Sequence, residues 1–271
     1  MSRPADPDDV SGVGAGHSHA HGTDSAGVPW EGRAFQPNPH ADDDGSAPAA
    51  FLTALAAFRA GEVGPAAVVD ALRAERLLVP LVAERGETGV APSGLVVDKT
   101  QELSIVTVAA PDGRTVLPAF SSVAALQAWD ASARPIPTPV ARVAQAAVGE
   151  GTDLIVVDPG SETEFVIRRP AVWALAQGEP WTPSSESIEV RQAFLESITS
   201  ELAAVDIVLE AGDPTARLRG PETIVRLSLL QGLRRDELDP VLARLAQRWA
   251  ADDRIATLVD SLTVRLERSG P

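Results

Sequence analysis

Residues 103–129 read LSIVTVAAPDGRTVLPAFSSVAALQAW and predict a strand, a turn, a second strand and a helix in direct succession. Residues 103–110 carry apolar and β-branched side chains on both faces, which is typical of a strand covered on at least one side. Residues 111–114 (PDGR) combine the residue types that favour a tight hairpin turn. The chain returns from Thr115, and Pro118 indicates that this strand ends or runs along a sheet edge there, because proline has no N–H to donate.

The helix after this hairpin has clear start and packing signals. Ser121 is a suitable N-cap residue, since its hydroxyl can accept a hydrogen bond from the first helical turn. Val123, Leu126 and Trp129 recur every three residues and predict one apolar stripe. The whole stretch therefore predicts a hairpin with a helix packed after it, around which the rest of the chain is organised.

This stretch also carries a resemblance to a known family. The run DGRTVLPAFSSVAALQAW, followed by ARPIPTP and DLIVVDP, resembles the N-terminal domain of the SseB family as it occurs in high-GC Gram-positive bacteria, and so does DSAGVPWEGR at residues 24–33. The resemblance extends from about Asp24 to Pro183 and more weakly to the C-terminus. The family name describes enhanced serine sensitivity, a phenotype, so the resemblance implies no catalytic residues.

Composition narrows the functional classes. The net charge of −15 would repel nucleic acid and anionic lipid, and no apolar run is long enough to cross a membrane. We therefore expect no nucleic acid and no membrane as partners, and a cytoplasmic protein. There is no cysteine and no tyrosine, and the histidines all lie in the first 40 residues.

This distribution argues against an enzyme. From residue 41 onward, general acid–base chemistry could use only aspartate, glutamate and Lys99. We expect no catalytic residues, no cofactor and no metal. His17, His19 and His21 could chelate Ni²⁺ or Cu²⁺, but a tail with incidental histidines is the favoured interpretation.

The chain divides into an arm and two units. Residues 1–49 hold eight acids against two arginines, and we expect 1–45 to form a mobile acidic arm with a docking segment near 24–35. We expect an SseB-like N-terminal domain at 46–180 and a small α+β domain at 185–271, with an antiparallel sheet. The predicted class is α+β: two α/β sandwich units with mixed or antiparallel sheets backed by helices.

We expect a non-catalytic protein-interaction or regulatory protein, with a protein partner and edge strands that could also pair in a homodimer. Two surfaces are candidates for the interaction. The aromatic arm could dock on its own body or on another protein, and the second surface lies in the central hairpin and helix. The candidate residues are Trp30, Arg33 and Phe35 in the arm, and Asp112, Arg114 and Trp129 in the hairpin and helix.

Three other interpretations stay open. The two units could meet near Trp181 in a cleft that senses an amino acid or similar metabolite. A carboxylate-based hydrolase would need two of Asp98, Asp112 and Asp158 in one pocket, although Asp-Pro-Gly at 158–160 is more simply a turn. The arginines of VRL at 225–227 and 264–266 could bind an anion, or could simply line the wet face of a sheet.

Overall fold

The computed structural model describes residues 43–82, 88–90, 96–98, 107–110, 113–152, 154–232 and 234–268, which lie in one compact unit. Its helices are α1 (Ala49–Arg59), α2 (Pro65–Leu72), α3 (Val123–Trp129), α4 (Val140–Gly149), α5 (Arg169–Gln177), α6 (Ile188–Ile198), α7 (Arg235–Ala251) and α8 (Asp253–Leu258). Its strands are β1 (Arg76–Leu81), β2 (Thr88–Val90), β3 (Val96–Asp98), β4 (Val108–Ala109), β5 (Thr115–Ala119), β6 (Arg134–Pro139), β7 (Leu154–Val157), β8 (Phe165–Ile167), β9 (Ala204–Ala211), β10 (Thr223–Leu229) and β11 (Leu262–Arg268). The predicted α+β class with mixed and antiparallel sheets is confirmed.

The predicted hairpin is present within a four-stranded sheet of order β4-β5-β7-β8. β4 and β5 pair antiparallel, and the Ala110 N–H donates to the Arg114 carbonyl at 2.8 Å. Pro118 lies inside β5 rather than at its end. There β5 has already passed the end of β4, and Phe120 two residues later pairs with Leu78 of β1. The missing proline N–H therefore falls between two partners, and the strand tolerates it.

The N-cap of α3 is one residue later than predicted. Ser122, not Ser121, accepts a hydrogen bond from the Ala125 N–H at 3.1 Å. Ser121 is buried, and its N–H and hydroxyl both donate to Asp158. The buried carboxylate competes for Ser121, so the neighbouring serine caps the helix.

β1 and β6 form an antiparallel two-stranded sheet. The Leu78 N–H and carbonyl face Phe120, so the alternate residues of β1 face β6. Their partners on β6 are Arg134, Ile136 and Thr138, which leaves the three prolines of β6 directed outward. The outer edge of β6 thus offers carbonyls and no N–H groups. Thr138 lies inside this strand, and α4 begins after Pro139.

The last three strands form a second sheet of order β11-β10-β9. β9 and β10 pair antiparallel, whereas β10 and β11 pair parallel, so the prediction of a wholly antiparallel sheet here was wrong. The cause is the connection, because α7 and α8 carry the chain back to the start of β11. α8 itself was not predicted.

Two large apolar cores organise these elements. In the N-terminal half (residues 43–178), β5, β7 and β8 pack on α1, α2, α4 and α5. In the C-terminal half (residues 187–268), α6, α7 and α8 cover one face of the second sheet. A smaller cluster lies on the other face of β5, β7 and β8, which explains why β7 reads as an unbroken apolar run.

The chain enters the N-terminal half through an ion pair. The buried Arg76 guanidinium donates to both carboxylate oxygens of Asp43 and to the carbonyls of Ser46 and Ser121. Residues 43–46 lie at the end of the segment that was predicted to be an acidic mobile arm. The contacts of Arg76 hold them against β1. The predicted arm residues before Asp43 lie outside the described residues.

Candidate functional site at the junction of the two halves

Arg168, directly after β8, joins the N-terminal half to the C-terminal half. Its guanidinium donates to Asp213 at 2.8 Å and to Asp260 at 3.0 Å. It also donates to the carbonyl of Gly220 at 2.8 Å. The side chains of Arg168, Asp213 and Asp260 are 6%, 2% and 2% exposed, so this is a desolvated charge cluster.

Arg114, one of the predicted interaction residues, belongs to the same cluster. It donates from Nη1 to both oxygens of Asp260, at 2.9 and 3.0 Å, and its side chain is 32% exposed. The predicted hairpin therefore contacts the C-terminal half through this arginine. Arg114 stabilises the junction, with only part of its side chain at the surface.

The loop between β9 and β10, residues 212–221, is the second element of the junction, and we call it the strap. Its two ends meet closely, since a Cβ at Gly212 would collide with the Pro221 carbonyl oxygen. Ala216 packs in the N-terminal core, and its carbonyl accepts from the Val166 N–H of β8 at 2.8 Å. The strap thus adds to the edge of the first sheet and ties both halves together.

The strap holds strained backbone. Ala216 and Leu218 have φ values of 49° and 55°, in the left-handed region that side-chain-bearing residues avoid. Such strain costs on the order of 1–3 kcal/mol per residue and is commonly found at ligand clamps and switch regions. The Leu218 N–H donates to Asp213 at 2.7 Å, so the Arg168 cluster also holds the strained segment.

A cavity of about 70 Å³ lies beside the strap and Arg168. Much of its wall is apolar, from Pro65, Val69, Phe165, Ala171 and Ala216. Its polar wall includes Trp181 and Glu222. The position agrees with the expected cleft near Trp181, where the two halves meet.

Two buried polar atoms of residues that line this cavity have no hydrogen-bond partner within the described part of the chain: Trp181 Nε1 and Glu222 Oε1. The second oxygen, Glu222 Oε2, accepts from the Asp260 N–H at 2.6 Å. Burial raises the pKa of Glu222 above its ordinary value, and the nearby charge of Asp260 raises it further, against the opposing effects of the Asp260 N–H, Ser184 and Arg168. Leaving each buried polar atom unpaired costs roughly 1–3 kcal/mol.

Asp158, a candidate catalytic carboxylate, is 1% exposed and has φ of 50°. It accepts from the Ser121 N–H at 2.7 Å, the Ser121 hydroxyl at 2.6 Å and the Thr163 hydroxyl at 2.7 Å. The predicted turn is present, but its carboxylate binds these residues rather than its own backbone. A substrate could reach it only after these hydrogen bonds broke, so its role is to join β5 to the β7–β8 turn.

The other predicted site residues are placed apart. Trp129 is half-buried and packs on the Phe120 ring at 5.3 Å between centroids. Trp30, Arg33, Phe35, Asp112, Lys99 and the four histidines lie outside the described residues, as does the side chain of Asp98. No group of three or more potential metal ligands occurs among the residues described.

The proposed anion site on the second sheet is not supported at Arg226. Its guanidinium is bound by Glu210 at 2.6 Å and by both oxygens of Glu267, at 2.7 and 2.8 Å. Two carboxylates already occupy its donors, so a further anion would be repelled. Arg265 is exposed on the same face. This face is an ordinary solvated sheet surface.

A different surface stands out along α6 and β9. The segment 188–208, which we call the α6–β9 edge, carries five exposed large apolar side chains on α6, on β9 and in the loop between them. They are Ile188 (74% exposed), Leu195 (38%), Leu202 (91%), Val205 (49%) and Val208 (44%). β9 is an edge strand that pairs only with β10 among the described strands. Exposed apolar side chains beside an edge strand are typical of an interaction surface.

The backbone of β9 offers hydrogen bonds at this edge. The Gly212 N–H donates to the Glu222 carbonyl, and the Thr223 N–H donates to Ser261 on the β11 side. By alternation, Ile207, Leu209 and Ala211 direct their N–H and C=O groups away from β10. The Asp206 carboxylate already binds the Ile207 N–H at 2.8 Å. Within the described part of the chain, the outward groups of Leu209 and Ala211 have no hydrogen-bond partner.

Sequence reasoning missed the charge cluster. Arg168 and Asp213 are 45 positions apart, and Arg168 and Asp260 are 92 apart, so no local pattern connects them. One local signal was present: Arg168 follows directly after the apolar run Phe165–Ile167. A charged residue at the end of a buried strand needs a partner of opposite charge, which this position could have indicated.

Comparison with known proteins gives one match. The family model described as SseB protein N-terminal domain matches residues 52–174. No curated protein and no solved structure matches the chain. No helix in the described part of the chain is both long and apolar enough to span a membrane.

Proposed function

Because residues 52–174 belong to the SseB protein N-terminal domain family, we propose that the chain is a non-catalytic interaction protein of the SseB type. We propose further that its partner binds at the α6–β9 edge. The observation that supports this proposal most is the five exposed apolar side chains beside the outward N–H and C=O groups of Leu209 and Ala211. Apolar side chains and free backbone groups together are what strand addition requires.

The partner that fits is an extended, basic segment of another protein. The open face of β9 carries Asp206 and Glu210, and like charges opposite one another on paired strands destabilise the pairing. In a symmetric antiparallel pair of two copies centred on Val208, Asp206 would face Glu210. A segment with lysine or arginine opposite these two acids and valine opposite Val208 would instead pair cations with the acids and cover Val208.

The test uses a synthetic peptide of eight residues that carries lysine and valine in turn at every second position, with threonine at the positions between them. We expect its addition to shift the backbone N–H signals of Leu209 and Ala211 in a ¹⁵N-labelled full chain, with saturation. The Val208→Lys variant should weaken the binding about tenfold or more, because it adds a cation and removes an exposed apolar side chain.

The matched control is Ile136→Lys on β6. Ile136 is 41% exposed, close to the 44% of Val208, but the edge of β6 presents no outward N–H groups. This variant should leave peptide binding unchanged. Equal losses in both variants would show that the peptide binds by charge alone. A concentration-dependent dimer that Val208→Lys dissociates, without peptide binding, would make a second copy of the chain the occupant and overturn the basic-segment proposal.

A second candidate function is supported by the junction cavity. We infer that the junction binds a small molecule and that binding strengthens the contact between the halves. Support comes from the position of the cavity beside the strained strap and from the unpaired Trp181 and Glu222 atoms. A rise in the thermal midpoint of the full chain with a small-molecule panel, abolished by Trp181→Phe, is the expected result.

A further inference from the structure

β11 forms the second outer edge of the β11-β10-β9 sheet, on the side opposite to β9. The Thr223 N–H donates to the Ser261 carbonyl at 3.0 Å, which fixes the direction of the backbone groups along the parallel β10–β11 pair. By alternation, three residues of β11 direct both N–H and C=O away from β10: Leu262, Val264 and Leu266. None of the described strands pairs with these groups, so this edge can accept a further strand.

Arg265 is a cation that forms no ion pair within the part of the chain that the structure describes. It is exposed and lies directly opposite Arg226 in the β10–β11 register. Like charges opposite one another on paired strands destabilise the pairing. Glu210 and Glu267 both bind the Arg226 guanidinium, and neither forms an ion pair with Arg265. The single chain thus leaves a repulsion at this edge that a carboxylate from outside would relieve.

An apolar groove of about 500 Å³ lies beside the same edge. Its walls include four leucines: Leu229, Leu230, Leu238 and Leu266. Leu266 is 44% exposed and Leu230 is 50% exposed, although Leu227, opposite Leu266 on β10, is buried. The apolar face of the sheet is therefore covered at β10 but open at β11, and a strand added to β11 would extend that cover.

A second copy of β11 supplies the missing charge. In an antiparallel pair of two copies centred on Leu266, each Arg265 lies opposite Glu267 of the second copy, so the favourable pairing occurs twice. Centring the pair on Arg265 would place two arginines opposite one another, and centring it on Glu267 would oppose two carboxylates. Centring it on Val264 would set Arg265 against the uncharged Thr263. Of these four registers, only the one centred on Leu266 matches opposite charges.

We propose that β11 is a dimer interface, at which two copies of this chain pair antiparallel about Leu266 and join their sheets into one. Glu267 binds Arg226 within its own chain and accepts Arg265 of the second copy as well, because an ionised carboxylate has about four lone-pair sites. The two apolar grooves are covered together. This interface lies on the opposite side of the sheet from β9, so it does not depend on the proposed function of the α6–β9 edge.

The test measures the mass of the full chain by sedimentation at concentrations from about 1 to 500 µM. Salt at roughly 0.15 M screens the long-range repulsion between two acidic copies. We expect a reversible monomer–dimer equilibrium. Arg265→Glu should raise the dissociation constant about tenfold or more, because both charge pairs across the interface become like charges. This variant should keep its fold, since a glutamate opposite Arg226 replaces a repulsion within the chain by an attraction.

Glu267→Arg is the matched variant of opposite sign. Alone it should dissociate as well, because Arg265 then faces an arginine in both pairs, while Arg226 keeps Glu210 as its partner within the chain. An equal mixture of Arg265→Glu and Glu267→Arg chains should restore the dimer, since every charge pair across the interface then joins a glutamate to an arginine. Val208→Lys, at the β9 edge, should leave the dimer unchanged.

Single cysteines report the register, because the chain contains none of its own. A short bismaleimide should join two Leu266→Cys chains, which meet at the axis. It should not join two Thr263→Cys chains, because three residues of strand on each side of the axis separate them by about 20 Å. Joining of Thr263→Cys chains in place of Leu266→Cys chains would overturn the proposed register.

Three results from sedimentation would overturn the interface itself. One is a mass that stays monomeric at every concentration. Another is a dimer that Arg265→Glu leaves intact or that Val208→Lys dissociates. The third is growth beyond a dimer, which would indicate that β11 of one copy pairs with β9 of the next in an open chain.

Discussion

Arg168→Met should lower the free energy of unfolding by about 3–5 kcal/mol, because the change leaves Asp213 buried without a cation and leaves Asp260 with Arg114 alone. Methionine keeps most of the unbranched stem, so the loss reports the guanidinium rather than a large cavity. The two carboxylates are each 2% exposed, and the Gly220 carbonyl also loses its donor. A typical domain has only about 5–15 kcal/mol in total, so the effect is large.

The measurement is urea unfolding of the full chain, followed by tryptophan fluorescence and by far-ultraviolet circular dichroism together. The matched control is Arg234→Met, whose ion pair with Asp236 is about 70% exposed on both sides and should contribute less than about 1 kcal/mol. A loss below about 1 kcal/mol in Arg168→Met, equal to that of the control, would refute the claim that the junction charges are desolvated. Separation of the two unfolding curves would show that the halves unfold independently.

Three further changes test other parts of the structure. Asp158→Asn should cost roughly 1–3 kcal/mol in urea unfolding, since one of its three donors then meets an NH₂ group; wild-type stability would contradict the network. The pKa of Glu222 in the folded protein is raised above the ordinary 4.5. The stabilisation that its protonated side chain contributes is therefore present below about pH 4.5 and is lost as the pH rises through the folded pKa. The stability of wild type relative to Glu222→Gln should therefore fall over that window, and a pH-independent difference would refute it. Gly212→Ala should destabilise by about 1–3 kcal/mol, as a Cβ there meets a backbone carbonyl, whereas Gly149→Ala, with nothing within 4 Å, should be neutral in thermal unfolding.

Local patterns predicted the elements well where one residue type decides the backbone. Pro170 and Gly178 bracket α5, because one lacks an N–H and the other takes a positive φ. The apolar stripe of α3 packs as predicted around Leu126. These signals need no knowledge of distant residues.

The errors arose where distant groups compete. The cap of α3 moved to Ser122 because Asp158, far along the chain, binds Ser121. The direction of β11 depends on the crossover through α7 and α8, which periodicity does not encode. The junction site depends on pairs of residues that only the folded chain brings together, although Trp181 marked its position.

The proline edge of β6 has a consequence for hydrogen exchange. The strand of six residues contains only three backbone amides, those of Arg134, Ile136 and Thr138, and all three face β1. In an edge strand, amides that exchange hydrogen quickly normally alternate with amides that exchange slowly. β6 has no quickly exchanging amides of this kind, because the outward positions are prolines. Deuterium uptake over residues 134–139 therefore reports a single event, the separation of β6 from β1. Its rate measures how often that side of the N-terminal half opens.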